Sequence, residues 1–524
     1  MTIGTALGPT LAELSDEERY ERFDRLQERM RGVWQIMSRN EEDESVVVIP
    51  SVSVDRINER SGSLQQAYEE RFLALLLLLR QPRLRIIYVT SMPIAPKIVE
   101  YYLAMLREVI PSHARARLSL ISVGDASPRP LSEKLLERPR LMSLIRSLVP
   151  NPLRSHLVPY NTTALERDLA VALGIPMFAA DPRCFPLGTK SGCRELFAAL
   201  GVRHPVGFEN LRSIEDVVDA LMRLRAVRPD VTEAMVKLNE GVSGEGNAVV
   251  DLCNLGVPGS AGEREETTHR VREMAFELPG TAFSSYAAKL AEQGGIVEER
   301  ITGAELRSPS VQLRITPFGE VELLSTHDQV LGGPNGQSYL GCSFPADVGY
   351  ATMISADAQR IGDRLAREGV LGQFAVDFVV VRSGDGSWTP YAIELNLRKG
   401  GTTHPFLTLQ FLTEGRYDPA TALFLTPTNR ENYLVATDHL ESVVLRGLTI
   451  DDLFDIVTRH GLHFDPAGQE GVVFHMISCL TEAGRIGLTA VGDTPASARA
   501  VYQKAERLLL DEARESLAEQ PLPA

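Results

Sequence analysis

Two segments carry oxygen ligands at spacings suited to a metal ion. In residues 393–404 (IELNLRKGGTTH), Glu394 and Asn396 stand two apart in a strand-like run. Both side chains therefore leave the same face. Asp377, inside the apolar run FAVDFVVV (374–381), is the natural third ligand. An acid in such a run is costly unless it is paired or coordinates a metal. Oxygen-only ligands suit Mg2+, which is commonly held by a few carboxylates together with substrate phosphates. A structural ion pair of Asp377 or Glu394 with Arg398 would satisfy the same residues.

Three further segments could hold a phosphate chain or a nucleoside. In residues 236–247 (VKLNEGVSGEGN), Lys237 falls near a strand end and a Gly/Ser loop follows. Glycines let the backbone turn tightly and aim N–H groups at phosphate oxygens. Lys237 would add a point charge. The loop also reads as an ordinary glycine hairpin, and it is no P-loop, because G-x-x-x-x-G-K-[ST] is missing. Residues 297–305 (VEERITGAE) place carboxylates at both ends of a strand and its turn. A strand edge can meet adenine, and a carboxylate can accept from ribose hydroxyls. A solvated acidic strand end is the other reading. Lys190, between Thr189 and Ser191, opens a helix leading to Gly201. A lysine there opposes the helix dipole, which a bound anion would reverse. An ordinary exposed lysine fits as well.

The elements around these segments fall into blocks. Residues 15–37 carry apolar positions at helical spacing, with Leu26, Met30 and Val33 on one face. Ser15, followed by Glu17 and Glu18, marks the helix start. Strands are expected at 46–50, 84–90, 118–123, 156–160 and 176–179, and helices at 64–79, 97–109, 132–148 and 164–173. That alternation implies a parallel sheet covered on both faces. Later strands pair as hairpins around turn residues, an antiparallel-rich α+β pattern. Residues 472–480 and 485–491 form a further hairpin, followed by a helix over 494–510.

Composition narrows the class. With 524 residues and a net charge of −15, the chain suits several domains and repels nucleic-acid phosphates and anionic lipid. Neither is an expected partner. Five scattered cysteines without a C-x-x-C pair read as a reduced, cytoplasmic protein. The apolar run 72–79 is too short to span a bilayer.

The order of the four segments resembles the ATP-grasp superfamily. KLNEGVSGEGNA, AVDFVVV, IELNLRKGGTTHP and the closing GVVFHMISCLTEAGRIGLTAVGDT are similar to the pheganomycin-type peptide ligases. The resemblance implies an α/β and α+β protein. A helical extension (1–43) would precede a pre-ATP-grasp open α/β domain (44–182). An ATP-grasp domain (183–430, with a glycine-loop subdomain about 202–305) and a small C-terminal α/β unit (431–524) would follow. It implies ATP and Mg2+ as cofactors. The substrates would be a small-molecule carboxylate and amine, an amino acid or peptide among them. A carboxylate–amine ligase acting through an acyl phosphate is the implied activity.

Roles follow by correspondence. Lys190 and Lys237 would hold the α- and β-phosphates, and Ser243, Gly244, Glu245 and Gly246 would close over the triphosphate. Glu298, Glu299 and Ile301 would form the adenine hinge, and Glu305 would take the ribose. Asp377, Glu394 and Asn396 would bind Mg2+. Arg398, Lys399 and Arg314 would lie near the transferred phosphate. Ala375 departs from the pattern, since many relatives carry arginine there. An ATP-binding scaffold without ligase chemistry is the rival reading. His404 is open between a general base for the amine and a structural or substrate-contacting residue. The loop 326–339 yields no role, and the N-terminal helix could serve a homodimer or fold back on its own core.

Overall fold

The computed structural model describes residues 11–53, 62–241 and 244–519. Ser15 caps the first helix, Asp16–Gln27: Glu18 N donates to its Oγ at 3.2 Å, and Ser15 N donates to Glu18 Oε2 at 2.7 Å. This reciprocal capping satisfies two orphan donors. A second helix, Met30–Arg39, follows, and Phe23, Leu26, Met30 and Val33 are buried. Phe23 joins the core of the chain's own parallel sheet, and Arg19 pairs with Asp168 at 2.7 Å. The extension thus folds back on its own chain.

Four parallel strands follow in the order Leu118–Ser122, Leu84–Thr90, Glu44–Ile49, Ser155–Pro159. The stretch expected as a fifth strand contributes only a bridge, Met177 to Leu157. Proline splits the helix expected over 132–148 into Leu131–Leu136 and Pro139–Leu148. Its ring fits a first helical turn and cannot continue one. The helix expected over 64–79 is α-helical through Gly62–Glu70, then winds as a 3₁₀ helix through Arg71–Arg80. Runs of that winding are usually three or four residues long. Here the leucine run is buried nearly all round.

A five-stranded antiparallel sheet comes next, in the order Gly207–Leu211, Gly295–Glu299, Glu233–Leu238, Asn247–Asp251, Ala275–Phe276. Its own core includes Val236, Val250, Val297 and Leu221. A nine-stranded antiparallel sheet follows, beside a two-stranded ribbon of Arg416–Asp418 and Leu423–Leu425. The strands Pro309–Ile315 and Trp388–Asn396 both pair with Gly372–Arg382. The last strands, Tyr433–Glu441, Arg485–Gly492 and Gly471–His475, are antiparallel and continue this same sheet. The C-terminal segment, expected as a small α/β unit, contributes its strands to the central sheet. Its hairpin encloses a short helix, Cys479–Ala483, and the final helix, Pro495–Glu519, packs on it. Among the described residues no helix is long and apolar enough to cross a membrane.

Candidate active site

An open cleft lies where the sheets meet. Lys190, Gly244, Glu245, Asp377, Glu394, Asn396 and Arg398 line it, and Lys190 and Glu394 come together from 204 positions apart. Asp377 and Glu394 face each other on paired antiparallel strands, and Asn396 stands opposite Ala375. Gln329 Nε2 donates to Asp377 Oδ1 at 2.9 Å, and Asn396 Nδ2 donates to Oδ2 at 3.0 Å. Lys190 Nζ pairs with Glu394.

The electrostatics fit a cation. Burial, then repulsion from Glu394, pushes the Asp377 carboxyl up to about 6. Burial also opposes ionisation of Glu394, but Lys190 outweighs it and holds that group below its ordinary value. Two carboxylates and an amide form an all-oxygen donor set, the kind Mg2+ prefers. A divalent ion there would relieve the repulsion. Because the metal-binding form of Asp377 is the ionised one, its affinity has a defined pH dependence. Measured by titration at fixed ADP, the apparent Mg2+ dissociation constant should be flat above about pH 7. It should rise about tenfold per unit as pH falls below the Asp377 value. A flat profile down to pH 5 would remove Asp377 from the metal set.

The remaining expected residues are placed differently. Lys237 and Glu298 are buried, 2.7 Å apart, and Arg194 Nη1 completes the group at 2.6 Å from Glu298. Glu299 accepts from Val206 N at 2.9 Å and pairs with Arg228 at 3.0 Å. Ile301 is half-buried just past that strand. Glu305 pairs with Arg307 and Arg382 and is not on the cleft lining. Gly246, at φ 86°, accepts from Leu238 N at 3.0 Å and shapes the loop. Ser243 lies outside the described residues.

Three of the expected phosphate contacts are absent from the cleft lining: Lys237, held by Glu298, and Arg314 and Lys399. Arg314 pairs with Glu322 and lies over the Trp34 ring at 5.0 Å, farther along its strand than the lining residues Ser310 and Gln312. Lys399 turns away, and its Nζ donates to Pro159 O at 2.7 Å. Burial pushes that amine down to about 7.

Other residues of the lining went unread in the sequence. Tyr68, Arg71, Tyr160, Asp438 and His439 form one wall. Asp438 is flanked by Thr437 and His439, so it lacks the all-apolar surroundings that mark Asp377 in the sequence. The loop around 326–339 contributes Gln329, Gln337 and Tyr339. Glu277, just past the last strand of the five-stranded sheet, accepts from Asn335 N, Gln337 N and Ser338 Oγ at 2.9, 3.2 and 2.7 Å. These bonds tie the small sheet to the large one across the cleft. Gly244 meets the same loop: a Cβ there would stand 2.7 Å from Gln337 O, and its φ is 83°. His404 is buried against His475 and Asp438.

Comparison with known proteins adds the following. Residues 186–275 and 265–419 match the family described as IQCH-like, ATP-grasp, and residues 452–505 match the PGM1 C-terminal domain. The chain is 31% identical over 462 residues to an L-propargylglycine–L-glutamate ligase of Streptantibioticus cattleyicolor, covering 87% of this chain and 92% of that protein. It is 22% identical to the IQ motif-containing protein H of Danio rerio, covering 82% of this chain and 45% of that one. Among solved structures, the ADP complex of an N5-carboxyaminoimidazole ribonucleotide synthetase superposes with a TM-score of 0.51 at 12% identity, over 90% of this chain and 98% of that one. The biotin carboxylase domain of Hydrogenobacter thermophilus 2-oxoglutarate carboxylase, with bound MgADP, ADP and bicarbonate, superposes with a TM-score of 0.54 at 13% identity, over 90% and 94%.

Proposed function

The chain belongs to the ATP-grasp ligases, and from that premise we propose that it joins the carboxylate of one amino acid or short peptide to the amine of another, with ATP converted to ADP and phosphate. The observation that carries this reading is the meeting of Asp377, Glu394, Asn396, Lys190 and Arg398 in one cleft. The similar ligase is named for two amino acids, which supports the substrate class.

A carboxylate is a poor acylating agent because its oxygen is a poor leaving group. Transfer of the γ-phosphoryl group to that oxygen, with release of ADP, makes it a good one. The amine then attacks the acyl carbon, phosphate departs, and the amine gives up a proton. Mg2+ supplies charge neutralisation on the phosphates. Asp377, Glu394 and Asn396 hold it. Lys190 is released from Glu394 to an incoming phosphate, and Lys237, beside it, adds positive potential from the interior. Arg398 faces the transferred group. The segment just past the strand Gly295–Glu299, at Ile301, would offer backbone groups to the base, since the Glu299 N–H is already bonded to Val206 O. Gly244, Glu245 and Gly246 close the loop and exclude water, which would otherwise hydrolyse the activated acid.

The test is to incubate the purified chain with Mg2+–ATP and pairs of amino acids, L-glutamate and L-propargylglycine included. Phosphate release and product mass are read together. Release that requires both partners, with a product equal to their sum less water, is expected. Nucleotide binding without ADP formation for any amino acid or peptide pair would overturn the reading.

A further inference from the structure

Beyond the oxygen ligands, one wall of the cleft is assembled from three distant parts of the chain. Arg71 comes from the start of the 3₁₀ helix, Tyr160 from just past a parallel-sheet strand, and Asp438 from the strand Tyr433–Glu441. We propose that this wall seats an α-amino acid substrate as its zwitterion, with the carboxylate on Arg71 and Tyr160 and the ammonium on Asp438. The proposal rests on the ligase reading and names the place where one of its two substrates binds.

Arg71 is only 5% exposed yet lines the cleft. Its Nη1 donates to Asp438 Oδ2 at 2.8 Å, and its guanidinium lies 4.2 Å from the Tyr68 ring centre. Its Nε has no hydrogen-bond partner among the described residues. A buried, charged donor left without an acceptor is costly, and such groups normally have one. The guanidinium is thus short of anionic partners, and a ligand carboxylate on the part of it that lines the cleft would add one. Tyr160 lies in the same field: burial would raise its phenol, but Arg398 and Arg71 bring it below its ordinary value instead.

Asp438 is fixed from behind. His475 Nε2 lies 2.8 Å and His404 Nε2 3.2 Å from Oδ1, and Arg485 Nε donates to the Asp438 carbonyl at 2.6 Å. Its carboxyl is held far below the ordinary range, because His404 and Arg71 outweigh the burial that opposes ionisation. The wall therefore offers one fixed positive and one fixed negative charge side by side. A phosphate would meet Asp438, and a simple alkylammonium would meet Arg71. An α-amino acid carries both charges on adjacent carbons and meets each with its opposite.

The atoms His404 Nε2, His475 Nε2 and Asp438 Oδ1 also converge, as they would around a metal ion. The Arg71 cation on the same carboxylate disfavours a second cation there. Metal content is accordingly one arm of the test.

The full chain, saturated with Mg2+ and a non-hydrolysable ATP analogue, is titrated calorimetrically with each standard L-amino acid and with L-propargylglycine. Each binder is then repeated as its N-acetyl and carboxamide forms. At least one amino acid should bind, and either block should weaken it by roughly ten- to a hundredfold. Arg71→Lys and Asp438→Asn should weaken it to a similar degree while leaving the analogue's affinity unchanged. Should either variant fail to fold, the blocked ligands on the unaltered chain still decide. Failure of every amino acid to bind beside a bound analogue, or indifference to both blocks, would overturn the proposal. So would one equivalent of zinc in the purified protein that is lost in His475→Ala. Failure of the analogue itself to bind marks a different fault: the ligase reading falls, and this proposal with it.

Discussion

Asp377→Asn should lower the rate of ADP formation by about 10²–10³-fold, the usual scale for removing one group that stabilises charge in a transition state. The side chain keeps its size; its remaining oxygen still accepts from one of Gln329 and Asn396, and the other must turn its own amide oxygen toward the new NH2. What it loses is a negative charge within the all-oxygen set. Stability should move the other way. The carboxyl is held up to about 6 in the fold, above its usual value, first by burial and then by Glu394. Ionising it therefore costs folding free energy, increasingly as pH rises from the unfolded value through the folded one. At pH 7.5 that cost is fully present, and the amide removes it. Steady-state ADP release and a thermal melt on the same sample separate the two effects. Unchanged turnover would dismiss Asp377 from the chemistry. A collapse of the melt would assign it to structure instead.

Glu298→Ala should destabilise the five-stranded sheet by about 3–5 kcal/mol, because it leaves two buried cations facing each other without their common partner. Lys237 and Arg194 bind the two oxygens of this one carboxylate at 2.7 and 2.6 Å, and all three side chains are almost wholly buried. Burial opposes the charge on Glu298, but Lys237 and Arg194 prevail and hold its pKa below the ordinary value. Its contribution is therefore present at neutral pH and fades as pH falls through that lowered value. Hydrogen exchange in the strands Glu233–Leu238 and Gly295–Glu299, compared with the parallel sheet, reads the effect locally. A change under about 1 kcal/mol would mean that water or a rearranged neighbour replaces the carboxylate. Nucleotide affinity should fall in the same variant, since Lys237 loses the group that fixes it.

Much of the chemistry was legible because it follows from local sequence. A period of two puts Glu394 and Asn396 on one face, and an acid in an apolar strand must be satisfied by something. Those two rules singled out Asp377, Glu394 and Asn396, and the glycine segment singled out Gly244 and Glu245, all of which line one cleft. Helix ends were equally local: Ser15 with Glu18, and Thr189 before Lys190, cap as their types require. Correspondence with a family was less reliable for long side chains. Arg314 and Lys399 sit on the right strand and loop, yet Glu322, Trp34 and the Pro159 carbonyl hold them away from the cleft. A flexible side chain goes to its best partner in space, and sequence does not name that partner.

The sequence by itself determined the order of elements, the candidate oxygen ligands and the glycine loop, since each depends on residues a few positions apart. Only the tertiary structure decided what stands across from them. Arg71 lies 367 positions from Asp438, in a leucine-rich run that reads as plain core. The C-terminal strands join the central sheet through backbone bonds, for which side-chain pattern gives no address. Pairings at that separation are set by how whole sheets pack, and the amino acids at either end do not encode them locally.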